Sequence, residues 1–252
     1  KSRLIVMIFF LLMTTKIFSF EINRIDLVFL QDILKIDIFF NFFIVLCFLF
    51  IINGSNLIDG FNGLLSLQLI IINTVLLLIN IENNSQDLSV FITAQIIILL
   101  IFLLFNFPKA KLFMGDSGAY LFGSTTALNV IATNNSSPSI SSFFFCILLF
   151  YLFFEVFFSF IRKIILKKSP IKPDKYHLHM LSYQVLKLKN PGKDNNYLNS
   201  LVINFIISLL ILPSILIKEN AMLCKYWFFS LIVIYILAYF RLNSFLKKQI
   251  DI

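Results

Sequence analysis

Long apolar runs separated by short polar segments dominate this chain. Eight stretches approach the roughly 20 residues that one helix needs to cross a bilayer: about 3–20, 38–54, 64–81, 89–107, 117–133, 143–161, 198–217 and 226–246. The first is the weakest, being short and interrupted by Lys16. A signal peptide fits it poorly, because Phe18-Ser19-Phe20-Glu21 offers no small-residue cleavage site. Segment 21–37 alternates charged and apolar positions, with Ile25, Val28, Phe29, Ile33 and Leu34 at helical spacing. That pattern predicts an amphipathic helix lying on the membrane interface. The expected fold class is all-α: a polytopic membrane helix bundle of about eight spans.

Composition supports the pattern. The 252 residues are 59% hydrophobic and 13% charged, where a soluble domain carries roughly a quarter charged residues. A soluble globular enzyme, a disordered chain and a disulfide-stapled module are excluded. Cys47, Cys146 and Cys224 are far apart and read as small buried hydrophobes, not as a metal or disulfide framework.

The net charge of +8 invites a nucleic-acid reading, and its placement removes it. All 21 basic residues except Lys16, Arg24, Lys35, Lys218 and Lys225 fall on one side: the N-terminus, 55–63, 108–116, 162–197 and the C-terminal tail. By the positive-inside rule that side is cytoplasmic. Glu21, Asp26, Asp32, Asp37, Glu82, Asp87 and Glu219 occupy the other. The expected organisation is one integral membrane domain over 1–252, with 162–197 as its long cytoplasmic loop.

Three loops on the basic side collect the polar chemistry. All seven glycines lie on or beside them, which suggests backbone bends or close approach to a ligand. The first reads Asn56-Leu57-Ile58-Asp59-Gly60-Phe61-Asn62-Gly63-Leu64. Asp59 is the only charge between Asp37 and Glu82, so it is either a functional carboxylate or a cap for the next helix. The second contains Lys109, Lys111 and Met114-Gly115-Asp116-Ser117-Gly118. Asp116 either caps a helix or offers a hard oxygen to Mg²⁺, with glycines freeing backbone N–H groups for a phosphate. The two lysines fit ordinary positive-inside residues better than ligand contacts. The third runs from Arg162, Lys163, Lys167 and Lys168 to Pro173-Asp174-Lys175-Tyr176-His177-Leu178-His179. Anionic headgroups explain the basic run but not the His-x-His. Two isolated acids, two histidines and a basic cluster on one face suit Mg²⁺-assisted phosphoryl transfer. An ion-coupled transporter or flippase is the alternative; it predicts acids in mid-helix, and only Glu155 is so placed.

Residues 56–64, Phe113-Met114-Gly115-Asp116-Ser117-Gly118-Ala119-Tyr120-Leu121-Phe122-Gly123 and Pro173-Asp174-Lys175-Tyr176-His177-Leu178-His179 together resemble the polyprenyl-phosphate N-acetylhexosamine-1-phosphate transferases, in the family's order. The third motif looks closer to the enzymes that start surface polysaccharides than to the phospho-MurNAc-pentapeptide transferase. The resemblance implies transfer of N-acetylhexosamine-1-phosphate, GlcNAc-1-phosphate first among the candidates, from a UDP-sugar to undecaprenyl phosphate with release of UMP. It implies a multi-pass protein of the bacterial inner membrane, a site facing the cytoplasm, and Mg²⁺ (or Mn²⁺) on Asp116. Asp59, Asp116, His177 and His179 take the catalytic roles, and Asn56, Asn62, Gly63, Lys111 and Asp174 the substrate contacts. The implied partners are the sugar nucleotide, the polyprenyl phosphate and membrane lipid, with no nucleic acid; the oligomeric state stays open, a homodimer included. Two departures follow. Position 62 is asparagine where bacterial members usually carry aspartate. Lys1-Ser2-Arg3-Leu4 looks like the segment that follows the family's Asp-Asp pair, so the resemblance places that pair and about three helices upstream; an inactive paralogue is the competing account.

Overall fold

The computed structural model describes residues 2–17, 20–170, 172 and 175–250. Lys1 and Asp174 lie outside them. Eleven helices and no strand occur among the described residues. Helix α1 (Ser2–Ile17) packs on α3 (Asp37–Ile58); the short α2 (Val28–Ile33) lies between them in sequence. Then follow α4 (Leu64–Glu82), α5 (Gln86–Asn106), α6 (Gly115–Ser136), α7 (Ser142–Leu148), α8 (Phe150–Ile165), α9 (Leu178–Lys189), α10 (Asn196–Leu216) and α11 (Ala221–Ile250).

Five helices are long and apolar enough to span a membrane: α3, α4, α5, α10 and α11. A sixth span results if α7 and α8 are taken together, bent by 77° at Leu149. The two remaining expected spans correspond to α1 and α6. With 16 residues α1 is too short, and α6 has the length, 22 residues, but too polar a composition. The expected interfacial helix over 21–37 is reduced to the six residues of α2, preceded by residues without regular secondary structure.

The polarity of α6 has a structural use. It sits against α3, α4 and α5, and its buried Thr126, Asn129 and Thr133 form a seam of hydrogen bonds. Asn73 of α4 donates to Thr126 Oγ1 at 3.0 Å, and two turns on Asn80 donates to Thr133 Oγ1 at 2.7 Å. Asn129 donates to Asn73 at 2.8 Å and to Gln95 of α5 at 2.7 Å. Helices in lipid gain nothing from apolar burial against one another, so packing and such bonds, each worth about 0.6–2 kcal/mol, hold them together.

Close packing supplies the rest. A Cβ on Gly54 would come within 2.1 Å of the Leu152 carbonyl oxygen, so α3 and α8 meet backbone to backbone there. A Cβ on Gly123 would reach within 2.6 Å of Ser55 Oγ, on the other flank of α3. These two glycines are therefore packing residues within helices, not loop bends as their positions near the loops suggested. An aromatic cluster of Phe150, Phe154, Phe158 and Tyr235 joins α8 to α11. Of the cysteines only Cys224 is buried; Cys146 is exposed, and no disulfide forms among the described residues.

At the acidic end of the bundle, loops far apart in sequence are tied together through Asp26. Its carboxylate accepts from Arg24 Nε (2.8 Å), Ser141 Oγ (2.6 Å), Ser142 N–H (2.8 Å) and Ser142 Oγ (3.2 Å). The Arg24 guanidinium also donates to the Pro138 and Ser139 carbonyls. Burial raises the proton affinity of this carboxyl, but the bonds from Ser141, Arg24 and Ser142 outweigh it and hold the pKa below the usual value.

Candidate functional site

At the opposite end, the three loops converge. Asp59 follows the last turn of α3, and Asp116 lies in the first turn of α6. Helix α4 starts behind Gly63 with no side-chain cap, so Asp59 does not cap it. Asp59 instead reaches across to α6, accepting the Gly115 N–H at 2.9 Å. Asn56, one turn earlier on α3, donates its amide to Asp116 Oδ1 at 3.0 Å. The two carboxylates are thus neighbours fixed by one loop on each side.

Their environments differ. Asp116 is exposed, whereas Asp59 is almost buried at 9% exposure. Burial pushes the Asp59 carboxyl up to about 6; bonds from Gly115 and Met114 lower it, and the Asp116 charge raises it again. A divalent cation beside Asp59 would offset the Asp116 charge that opposes its ionisation.

Asparagines lock the first loop to the second. Asn106 accepts the Gly63 N–H at 2.6 Å and donates to the Leu112 carbonyl at 2.6 Å. Gly63 needs to be glycine: its φ is +78°, and a Cβ there would meet Phe107 Cδ2 at 2.8 Å. Asn62, expected to contact substrate, is 8% exposed and spends its amide on the Pro108 carbonyl at 2.8 Å. Its own N–H goes to Asn196 Oδ1 at 2.7 Å, which brings in the start of α10. An aspartate at 62 could not make the Pro108 bond, which gives a physical reason for asparagine at this position. Lys111 is exposed, and its side chain has no hydrogen bond or ion pair among the described residues.

The third loop contains a helix, α9, and its histidines are not presented on the surface: His177 is 4% exposed and His179 fully buried. Their rings stack with centroids 5.6 Å apart. His179 Nδ1 lies 3.3 Å from the Tyr151 hydroxyl and 3.9 Å from Glu155. Burial lowers its pKa to about 4; Glu155 opposes that and His177 adds to it, so His179 is neutral and its approach to Glu155 is no ion pair. The Phe61 ring meets His179 and Tyr183 edge-on, with centroids 5.3 and 5.4 Å away, and so joins the first loop to the third.

Sequence reasoning missed the residues that build this frame. Asn106 and Asn196 carried no motif signal. Glu155 stood out only as an acid inside an apolar run, and both of its oxygens are engaged by His177, Leu178 N–H and Tyr235. That saturation leaves it poorly suited to bind a transported ion. No group of three or more His, Cys, Asp or Glu is placed to hold a metal alone among the described residues. Two adjacent carboxylates nevertheless suit Mg²⁺, which typically takes one or two protein carboxylates and completes its shell with water and substrate phosphate.

The sequence profile described as glycosyl transferase family 4 matches residues 1–134, a stretch holding both aspartates and ending before the histidines. Over 137 residues the chain is 30% identical to an undecaprenyl-phosphate alpha-N-acetylglucosaminyl 1-phosphate transferase of Thermotoga maritima, covering 54% of this chain and 41% of that protein. It is 34% identical over 131 residues to a probable undecaprenyl-phosphate N-acetylglucosaminyl 1-phosphate transferase of Bacillus subtilis, covering 51% and 36%. A phospho-N-acetylmuramoyl-pentapeptide-transferase of Clostridium perfringens is 31% identical over 106 residues, covering 42% and 33%. The matches thus span less than half the length of these curated relatives.

Proposed function

The chain belongs to glycosyl transferase family 4, and from that membership we propose that it takes part in transferring N-acetylhexosamine-1-phosphate, GlcNAc-1-phosphate first among the candidates, from a UDP-sugar to undecaprenyl phosphate, with UMP as the leaving group. The observation that carries the reading is the contact between two loops: Asp59 on the Gly115 N–H, and Asn56 on Asp116. It brings the loops of two hard oxygen donors together at the end of the bundle that carries the basic loops, which supports the reading. Under the positive-inside rule that end faces the cytoplasm of a bacterial inner membrane, where sugar nucleotides are found.

In this reading Asp116, exposed at the start of α6, holds Mg²⁺, and Asp59 lies against the reacting phosphates. When bound, the ion supplies charge neutralisation for a diphosphate and for the leaving phosphate. The chain's own residues orient the reactants. Asn56 fixes the Asp116 carboxylate, the Asn62–Pro108 and Asn106–Gly63 bonds hold the loops in register, and Phe61 closes toward the histidine loop. The lipid phosphate has to meet the sugar nucleotide at the membrane surface, and the position of both aspartates at helix ends supports a site there.

The test is release of UMP from UDP-GlcNAc by membranes carrying the intact protein and supplied with undecaprenyl phosphate. Release should require Mg²⁺ or Mn²⁺ and vanish in Asp116→Ala. Unchanged release in that variant would remove the metal assignment; none from the wild type would favour an inactive paralogue.

A further inference from the structure

Glu155 lies inside α8, and no motif assigns it a task. It is 1% exposed, and three elements converge on it. Oε1 accepts from His177 Nδ1 at 3.1 Å and from the Leu178 N–H at 2.9 Å; Oε2 accepts the Tyr235 hydroxyl at 2.7 Å. A buried carboxylate persists only when its charge is met by donors, and this one is met by α8's neighbours on α11 and by the entry to α9. The Leu178 N–H is a donor by nature, so the oxygen it shares with His177 serves as an acceptor for both. Nδ1 of His177 then carries hydrogen. The titratable groups around Glu155 are His177, His179, Tyr151 and Tyr235, with Tyr239 beyond Tyr235.

The same anchor reaches the aspartate pair. His177 stacks on His179, His179 meets Phe61, and Phe61 stands two residues from Asp59. Asn199 of α10 holds the His179 carbonyl at 2.9 Å, so the strut is fixed from behind.

We propose that Glu155 is a positioning residue for the transfer site: its carboxylate holds His177 in the Nδ1–H form and thereby sets the third loop against the first. The catalytic consequence rests on the function proposed above; the protonation pattern of His177 does not.

The chain has two histidines, so protein labelled with ¹⁵N-histidine in phospholipid nanodiscs yields two imidazoles, and His179→Gln assigns them. The wild type should show His177 protonated at Nδ1. Glu155→Met removes the acceptor; His177 should then lose that signature, and the KM for UDP-GlcNAc should rise about 10- to 100-fold, the usual penalty for losing a supporting partner, with a smaller fall in kcat. Glu155→Gln keeps an acceptor oxygen and should restore the Nδ1–H signal at a shifted position, with most of the affinity. Tyr235→Phe frees the other oxygen and should lower the melting temperature without moving the His177 signal or KM. An unaltered His177 resonance in Glu155→Met would overturn the proposal, as would an unaltered KM. If Glu155→Met does not accumulate, a wild-type resonance position in Glu155→Gln overturns it instead. A wild type that releases no UMP defeats the functional reading while leaving the histidine test intact.

Discussion

Two aspartates at opposite ends of the bundle, Asp26 and Asp59, show how burial alone does not define a site. Both are shielded from solvent, and both join segments distant in sequence. Asp26 is saturated by a guanidinium, two hydroxyls and a backbone N–H, and its pKa falls. Asp59 accepts backbone N–H groups alone, sits beside a second carboxylate, and rises to about 6. The first environment satisfies a charge permanently. The second meets its carboxylate less fully, which is the kind of perturbed acid that makes a candidate for chemistry.

Asp116→Ala should reduce UMP release by at least about 10²–10³-fold, while losing the bond from Asn56 at an exposed position should cost only about 1 kcal/mol of stability. Loss of both activity and fold would mean that this end is as structural as the other. Asp26→Ala should do the reverse, lowering unfolding stability by roughly 2 kcal/mol while leaving the specific activity of the folded fraction near wild type. Asn62→Asp should cost about 1–3 kcal/mol by facing a carboxylate to the Pro108 carbonyl, read as a lower melting temperature and a raised KM; a better enzyme would instead assign position 62 to the substrate.

The smallest effect is in pH, and its sign separates the two acids. A lowered pKa means that Asp26 stabilises the fold above about 3.8 and loses that contribution as pH falls through its folded value. The gap in melting temperature between wild type and Asp26→Asn should therefore close in acid. Asp59, raised to about 6, works oppositely in metal-free protein: its contribution is complete below 3.8 and is lost as pH rises through 6. Asp59→Asn should remove that neutral-pH penalty, and melting curves across pH 4–7 would reveal it.

Much of this was legible in the chain, for physical reasons. Bilayer-length apolar runs mark helices strongly, and α3, α4, α5, α10 and α11 fall where the runs are. Loop acids flanked by glycine mark Asp59 and Asp116, because a charge next to a long apolar run is rarely idle. What the sequence hid depends on tertiary contact. The break at Leu149 lies in a uniform Phe/Leu stretch without Pro or Gly, so no local residue announces it. The Asp26 clasp draws on Ser141 and Ser142, some 115 residues away, which no spacing rule connects. The histidines read as surface ligands because they lie in a basic loop, yet Glu155 and Tyr151 draw them inward.

The polar seam along α6 bears on how the protein enters its membrane. A helix carrying Thr126, Asn129, Thr133 and Asn134 partitions weakly into lipid by itself. Its partners Asn73, Asn80 and Gln95 all precede it in the chain and emerge from the ribosome first. Order of synthesis thus delivers α6 to a prepared polar face on α4 and α5, where side chains already made, and not lipid, meet its polar groups.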